Sequence, residues 1–127
     1  MVNDMADEVK LTLEQQEAIH EIDNNLQIIA CAGSGKTEVI TQRIANILKS
    51  KRDIKPENIV AFTFTEKAAA SMKKRIQKAL GTASFYTVQR MYIGTIHSFC
   101  YHLLNKYTEQ FREYKILDTV KSHLFVA

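Results

Sequence analysis

Eight consecutive residues carry the most chemistry in this chain: Ala30-Cys31-Ala32-Gly33-Ser34-Gly35-Lys36-Thr37. They match the phosphate-binding pattern G-x-x-x-x-G-K-[ST] at every defined position except the first, where Ala30 replaces Gly. In such a loop, successive backbone N–H groups wrap phosphate oxygens, and the positive end of the following helix adds to the attraction. Gly33 and Gly35 permit the backbone angles and the close approach that this needs. Lys36 is then the group that reaches the β- and γ-phosphates, and the Thr37 hydroxyl is the ligand for Mg²⁺. These two are the candidate catalytic residues. Ala30 through Glu38 form the candidate nucleotide cradle, with Cys31 expected as a small buried member rather than a reactive thiol. The loop by itself implies only that a nucleoside triphosphate binds, because many unrelated activities share it.

The elements around the loop must position it. Thr12 and Gln15 have capping-box spacing, which predicts a helix starting there with Leu13, Ala18, Ile19 and Ile22 as its apolar positions. Asp23-Asn24-Asn25 reads as a turn. Leu26–Ala30 is mostly apolar, as expected of a buried parallel strand feeding the loop. After the loop, Ile40, Ile44, Ile47 and Leu48 fall on one face of an amphipathic helix. A polar loop from Ser50 to Asn58 holds the only Pro, Pro56. Ile59–Thr63 is a second strand candidate. Thr65 caps a helix with Ala69, Met72, Ile76 and Ala79/Leu80 inward, and Gly81 ends it. Met91–Thr95 is a third strand. Ile96 to Tyr107 forms a helical stripe in which Phe99 and Tyr107 are expected as core. Ile116-Leu117 reads as a further strand and Thr119 onward as a short helix. Strands alternating with helices predict an α/β fold, three layers deep, with a short parallel sheet.

Composition sets the outer bounds. The chain has 127 residues, 46% of them hydrophobic and 24% charged, which fits one modest globular core. Its longest purely apolar run, Ile28–Ala32, is far short of the roughly 20 residues of a membrane span. No secretory signal is expected, and Cys31 and Cys100 make no disulfide framework, which suits a reducing cytoplasm. The net charge of +3 conceals a division: residues 1–31 hold seven acids and one base, and residues 32–127 hold sixteen bases and seven acids. A basic body favours a polyanionic partner. Residues 1–10 are polar and acidic, as expected of a loose terminus, and residues 11–127 form the domain.

Four segments, in order and at matching spacing, resemble the UvrD/Rep-type DNA helicases of superfamily one. Leu11 to Ile19 resembles the Q motif, in which Gln15 is the residue at the adenine-reading position and Gln16 its neighbour. A carboxamide offers donor and acceptor side by side, matching the paired groups on the adenine edge. Ile29 to Thr37 resembles motif I, Ala61 to Ala69 motif Ia, and Ile93 to Cys100 motif Ib. The similarity runs from about Leu11 to Phe125. Leu13 stands where Pro is frequent, and Glu66 where Asn is.

The resemblance implies the first half of a RecA-like P-loop ATPase domain, binding ATP and Mg²⁺ and moving 3′ to 5′ along single-stranded DNA. It implies strand contacts from Thr63, Phe64, Thr65, Lys67, Thr95 and His97 at the carboxyl ends of strands, where open α/β sheets bind ligands. Periodicity alone puts Phe64 in the core; the resemblance puts it against an unpaired base. Lys73, Lys74, Arg75 and Lys78 read as a solvated basic face. Hydrolysis needs an acid for Mg²⁺ and a base for water. The family supplies both from an Asp-Glu pair after an apolar strand, and Thr119 follows Asp118 where that Glu would be. The resemblance therefore implies a truncated piece, engineered or natural, whose remaining partner is the rest of a helicase chain and which does not hydrolyse ATP alone. Two other classes fit the loop: a small P-loop kinase, and a non-enzymatic module binding nucleotide or DNA.

Overall fold

A computed structural model describes residues 11–81 and 84–114. The expected strand at Ile116-Leu117 and the helix from Thr119 lie outside these residues, as does the acidic stretch 1–10. Helix α1 spans Leu13–His20, capped by Thr12 as its spacing predicts. Helix α2 spans Lys36–Ser50. A 3-10 turn at Pro56–Asn58 leads into strand β1, Val60–Thr63. Helix α3 covers Glu66–Leu80 between a Thr65 N-cap and Gly81. A short helix, α4, follows at Ser84–Arg90, then strand β2 at Tyr92–Thr95 and helix α5 at Ile96–Tyr107.

The two strands pair in parallel, Val60 opposite Tyr92 through Thr63 opposite Thr95. Side chains alternate across them. Ala61 and Ile93 face a core built with Ile44 of α2, Ala69, Met72 and Ile76 of α3, Val88 of α4, and Met91. Phe62 and Tyr92 face the other way and meet Phe99 of α5, at ring centroid distances of 5.2 and 4.7 Å. The sheet thus has helices on both faces, the layering expected from alternating elements. Gly94 makes room for this cluster: a Cβ there would lie 3.0 Å from the Tyr92 hydroxyl.

Four expectations need correction. Leu26–Ala30 carries no regular structure and is not a strand, because no described strand runs beside it to supply ladder bonds; Ile29 is 89% exposed. Cys31 is exposed rather than buried, as is the whole stretch 23–35, on which no other described element packs closely enough to cover it. Tyr107 is 72% exposed and no residue of α5 is fully buried, because a two-stranded sheet is too narrow to cover the helix. On α2 the buried positions are Val39, Thr41, Ile44 and Ala45, whereas Ile40 is exposed. The apolar stripe is rotated because α2 packs against α1 as well as α3. Helix α4 has no counterpart in the sequence reading.

Candidate nucleotide site and strand edge

The phosphate-type loop joins the irregular segment before it to α2. Gly33 and Gly35 have φ of +78° and +84°, the left-handed region that favours glycine. Ser34 closes a turn by donating both its hydroxyl (2.7 Å) and its N–H (3.3 Å) to the Cys31 carbonyl. Gly35 is the N-cap of α2 and has no side chain to cap with, so the first amides of the helix are left to other acceptors. Lys36 Nζ donates to the carbonyls of Ala30, at 2.7 Å, and Cys31, which holds the ammonium against the loop. Thr37 is exposed in the first turn of α2, and its carbonyl accepts the buried Thr41 hydroxyl at 2.8 Å. Its hydroxyl is a hard oxygen ligand of the kind Mg²⁺ takes. Glu38 accepts from Gln42 Nε2 at 2.8 Å and pairs with Arg75 of α3 at 3.4 Å. Arg75 is therefore not a simple member of a solvated face, since it ties α3 to the base of the loop helix.

Gln15 connects α1 to this loop. The Thr12 N–H donates to its Oε1 at 2.9 Å, and its Nε2 donates to the Ser34 carbonyl at 2.8 Å. One carboxamide hydrogen and one acceptor lone pair remain. Gln16 instead donates to the Leu11 carbonyl at 3.2 Å, so of the adjacent pair it is Gln15 that reaches the loop. Thr12, Gln15, Ala18, Ile28, Ala30, Ser34, Lys36 and Val39 help to line a cavity of about 450 Å³. Its lining is mostly apolar, with Ser34 and Lys36 from the loop and Thr12, Glu14 and Gln15 from the α1 side as its polar members, a mix suited to a flat ring joined to a charged tail. Arg43 and Asn46 of α2 hold α1 in place: Arg43 donates to the carbonyls of Ala18, Glu21 and Asn24, and Asn46 to that of Ile19. The Ala18 and Ile19 carbonyls lie in the last turn of α1, where intrahelical partners run out, so these contacts complete the helix terminus as well as fixing its position.

The strand ends form a second edge. Because Thr63 and Thr95 are in register, the N-termini of α3 and α5 emerge side by side. Thr65 accepts the Ala68 N–H at 3.1 Å, and Thr95 accepts the Ser98 N–H at 3.2 Å, so both act as helix caps. The Thr63 hydroxyl donates to the Thr65 carbonyl at 3.0 Å. Phe64 lies between β1 and α3 and is fully exposed, the opposite of a core position. Lys67 and His97 are exposed in the first turns of α3 and α5.

Sequence reasoning missed three contributors: the Arg43–Asn46 anchor, the Phe62–Tyr92–Phe99 cluster, and Glu66, whose carboxylate accepts from Thr95 and Ser98. All three depend on partners in other elements, 19 to 32 positions away for the hydrogen bonds, where local spacing leaves no signal. Among the described residues, no three His, Cys, Asp or Glu side chains gather as a metal site, and no helix is long and apolar enough to cross a membrane.

Comparison with known proteins bears on both regions. The family described as UvrD/REP helicase N-terminal domain matches residues 11–124. The chain is 40% identical over 111 residues to the ATP-dependent DNA helicase PcrA of Staphylococcus aureus, covering 85% of this chain. It is 42% identical over 108 residues to the Bacillus subtilis protein of the same name, covering 83%, and 41% identical over 108 residues to the Staphylococcus epidermidis one. The chain spans 14% of the length of each of these relatives.

Proposed function

The chain belongs to the UvrD/REP helicase N-terminal domain family, and from that premise we propose that it is the ATP-binding region, and part of the strand-binding region, of an ATP-dependent DNA helicase. The observation that carries the nucleotide half is the Gln15–Ser34 bridge, which brings an adenine-compatible carboxamide to a glycine-rich phosphate loop. Gln15 and the apolar lining take the base, the loop amides and Lys36 take the phosphates, and Thr37 takes Mg²⁺. Mg²⁺ held by the Thr37 hydroxyl would supply charge neutralisation at the phosphates. Lys36 would leave its two carbonyl partners to add positive charge there, and Gly35 keeps the loop backbone close to the oxygens.

The strand half rests on Phe64. An aromatic ring wholly in solvent, beside two helix N-termini, suits a base stacked on its face and phosphates at the amides of α3 and α5. Thr63, Thr65 and Thr95 shape that edge, and Lys67 and His97 add donors and charge. Alternating grip here, driven by nucleotide binding and hydrolysis, moves the parent enzyme 3′ to 5′ along single-stranded DNA in the cytoplasm. The acid and base for hydrolysis come from elsewhere in that enzyme, so these 127 residues bind ATP and single strands weakly and do not turn over.

Two assays test this reading. Fluorescence anisotropy with a labelled oligothymidylate should show binding that Phe64→Ala weakens about tenfold, in line with ~1–3 kcal/mol for a stacked base. An unchanged affinity in Phe64→Ala removes the strand assignment. Phosphate release with single-stranded DNA present should stay at background; turnover above about one per second, the low end of ordinary enzymatic rates, contradicts the binding-only reading.

A further inference from the structure

One carboxylate ties the two helix N-termini of the strand edge together. Glu66 Oε1 accepts from the Thr95 hydroxyl at 3.1 Å and from the Ser98 hydroxyl at 3.0 Å. The two hydroxyl oxygens lie 2.9 Å apart, and Thr95 Oγ1 already accepts the Ser98 N–H. Each hydroxyl has a single hydrogen, so a hydrogen given to Glu66 is withheld from any other acceptor. Glu66 also sits in the first turn of α3 and against the first turn of α5, where negative charge satisfies the positive helix ends. A phosphate oxygen arriving at this edge seeks the same two hydroxyls and the same helix ends, and carries the same sign of charge.

We propose that Glu66 is an intramolecular competitor for backbone phosphate at Thr95 and Ser98, and so sets the affinity of this edge for single strands. The proposal rests on the strand reading above. Glu66 is exposed, so its side chain is free to swing into solvent when a phosphate takes its place. The role is one of regulating access rather than contacting the strand. It also keeps the two hydroxyls aimed in one direction until the strand arrives.

The test measures oligothymidylate binding to the 127-residue chain at low salt. Glu66→Gln keeps the shape and removes the charge. It should bind about fivefold tighter, the size expected for deleting one like charge a few ångströms from a phosphate in a wet site. In a Thr95→Val/Ser98→Ala background, where the hydroxyls in dispute are gone, Glu66→Gln should gain less than about twofold, the margin within which independent sites add. If that background does not melt cooperatively, Ser98→Ala alone serves, and the gain should fall by about half. A purely structural role for Glu66 predicts weaker binding on substitution, never tighter. Two results overturn the proposal while leaving the strand reading intact: wild type binds and Phe64→Ala weakens it, yet Glu66→Gln changes nothing or weakens binding; or the gain is undiminished without the hydroxyls, which makes it a bulk charge effect. If neither wild type nor Glu66→Gln retains the oligomer, the strand reading and this proposal fail together.

Discussion

At the scale of single residues, Gln15 and Gly35 do most to define the proposed nucleotide site. Gln15 completes a reciprocal cap with Thr12 and also holds Ser34, so one side chain serves both α1 and the loop. Gln15→Ala should lower stability by about 1 kcal/mol through the lost cap and reduce discrimination between ATP and GTP in calorimetric titrations. Gln16→Ala, whose partner is only Leu11, should change neither. Gly35→Ala is more damaging. Its φ of +84° disfavours any Cβ, and the new atom would stand 3.3 Å from Gln15 Nε2. The left-handed cost alone is about 1–2 kcal/mol, and displacing Gln15 should also open the cavity, so ATP binding should fall further than in Gln15→Ala. The loop and the caps at Thr12 and Thr65 were legible in the sequence because their logic is local: glycines at fixed spacing, and hydroxyls three residues before the amides they accept. Glu66 was visible only as a departure from the usual Asn, since its partners Thr95 and Ser98 come from another strand end.

At the scale of elements, α3 holds the described core together. Ile76 is completely buried, with Ala69 and Met72 on the same face. Ile76→Ala should cost about 2–5 kcal/mol, a large share of the roughly 5–15 kcal/mol of an ordinary domain, and a urea melt would show it as a lowered midpoint. That face was readable from the 3.6-residue period. The missing strand and the extra helix were not. Leu26–Ala30 has strand composition, but a strand needs a neighbour, and composition does not reveal whether one is present. Helix α4 is only seven residues long, with aromatic and polar residues intermixed, too short for a period to emerge.

Acid should loosen the turns that connect these elements. The Asn24 and Asp23 amides hold the Glu21 carboxyl below its ordinary value of 4.5. Its own backbone amide and then Arg90 do the same for Glu57. A carboxyl whose pKa is depressed on folding contributes stability above its unfolded pKa and loses it as pH falls through the folded value. Thermal melts should therefore be level from neutrality to about pH 5 and decline below about pH 4.5. Glu21→Gln should flatten part of that decline.

At the scale of the whole molecule, charge and topology agree. The body after residue 31 carries sixteen bases against seven acids, and it holds the strand edge and the loop from Ala32 to Thr37, whereas Gln15, Ala30 and Cys31 come from the acidic segment before it. Strand binding should weaken steeply with salt as counterions are released, and the logarithmic slope should shrink by about one unit in Lys67→Ala if that side chain meets a phosphate. The parallel pairing of β1 and β2 was expected from the alternation of elements, and it is what sets the two threonine-capped helix ends side by side. The α/β architecture and the family were thus readable from pattern, whereas the narrowness of the described sheet and the exposure of α5 were not, because both depend on what packs alongside. Family membership removes the small-kinase alternative, which had only the shared phosphate loop in its favour.

On the proposed function, the loop from Ala30 to Thr37 binds ATP with Mg²⁺. Ligand-dependent thermal stability of the 127-residue chain tests it most directly. ATP with Mg²⁺ at about a hundred times the dissociation constant should stabilise the wild type by about 2.7 kcal/mol, and Lys36→Ala should abolish most of the shift. An equal shift in both proteins, or none in the wild type at millimolar ATP, contradicts the claim.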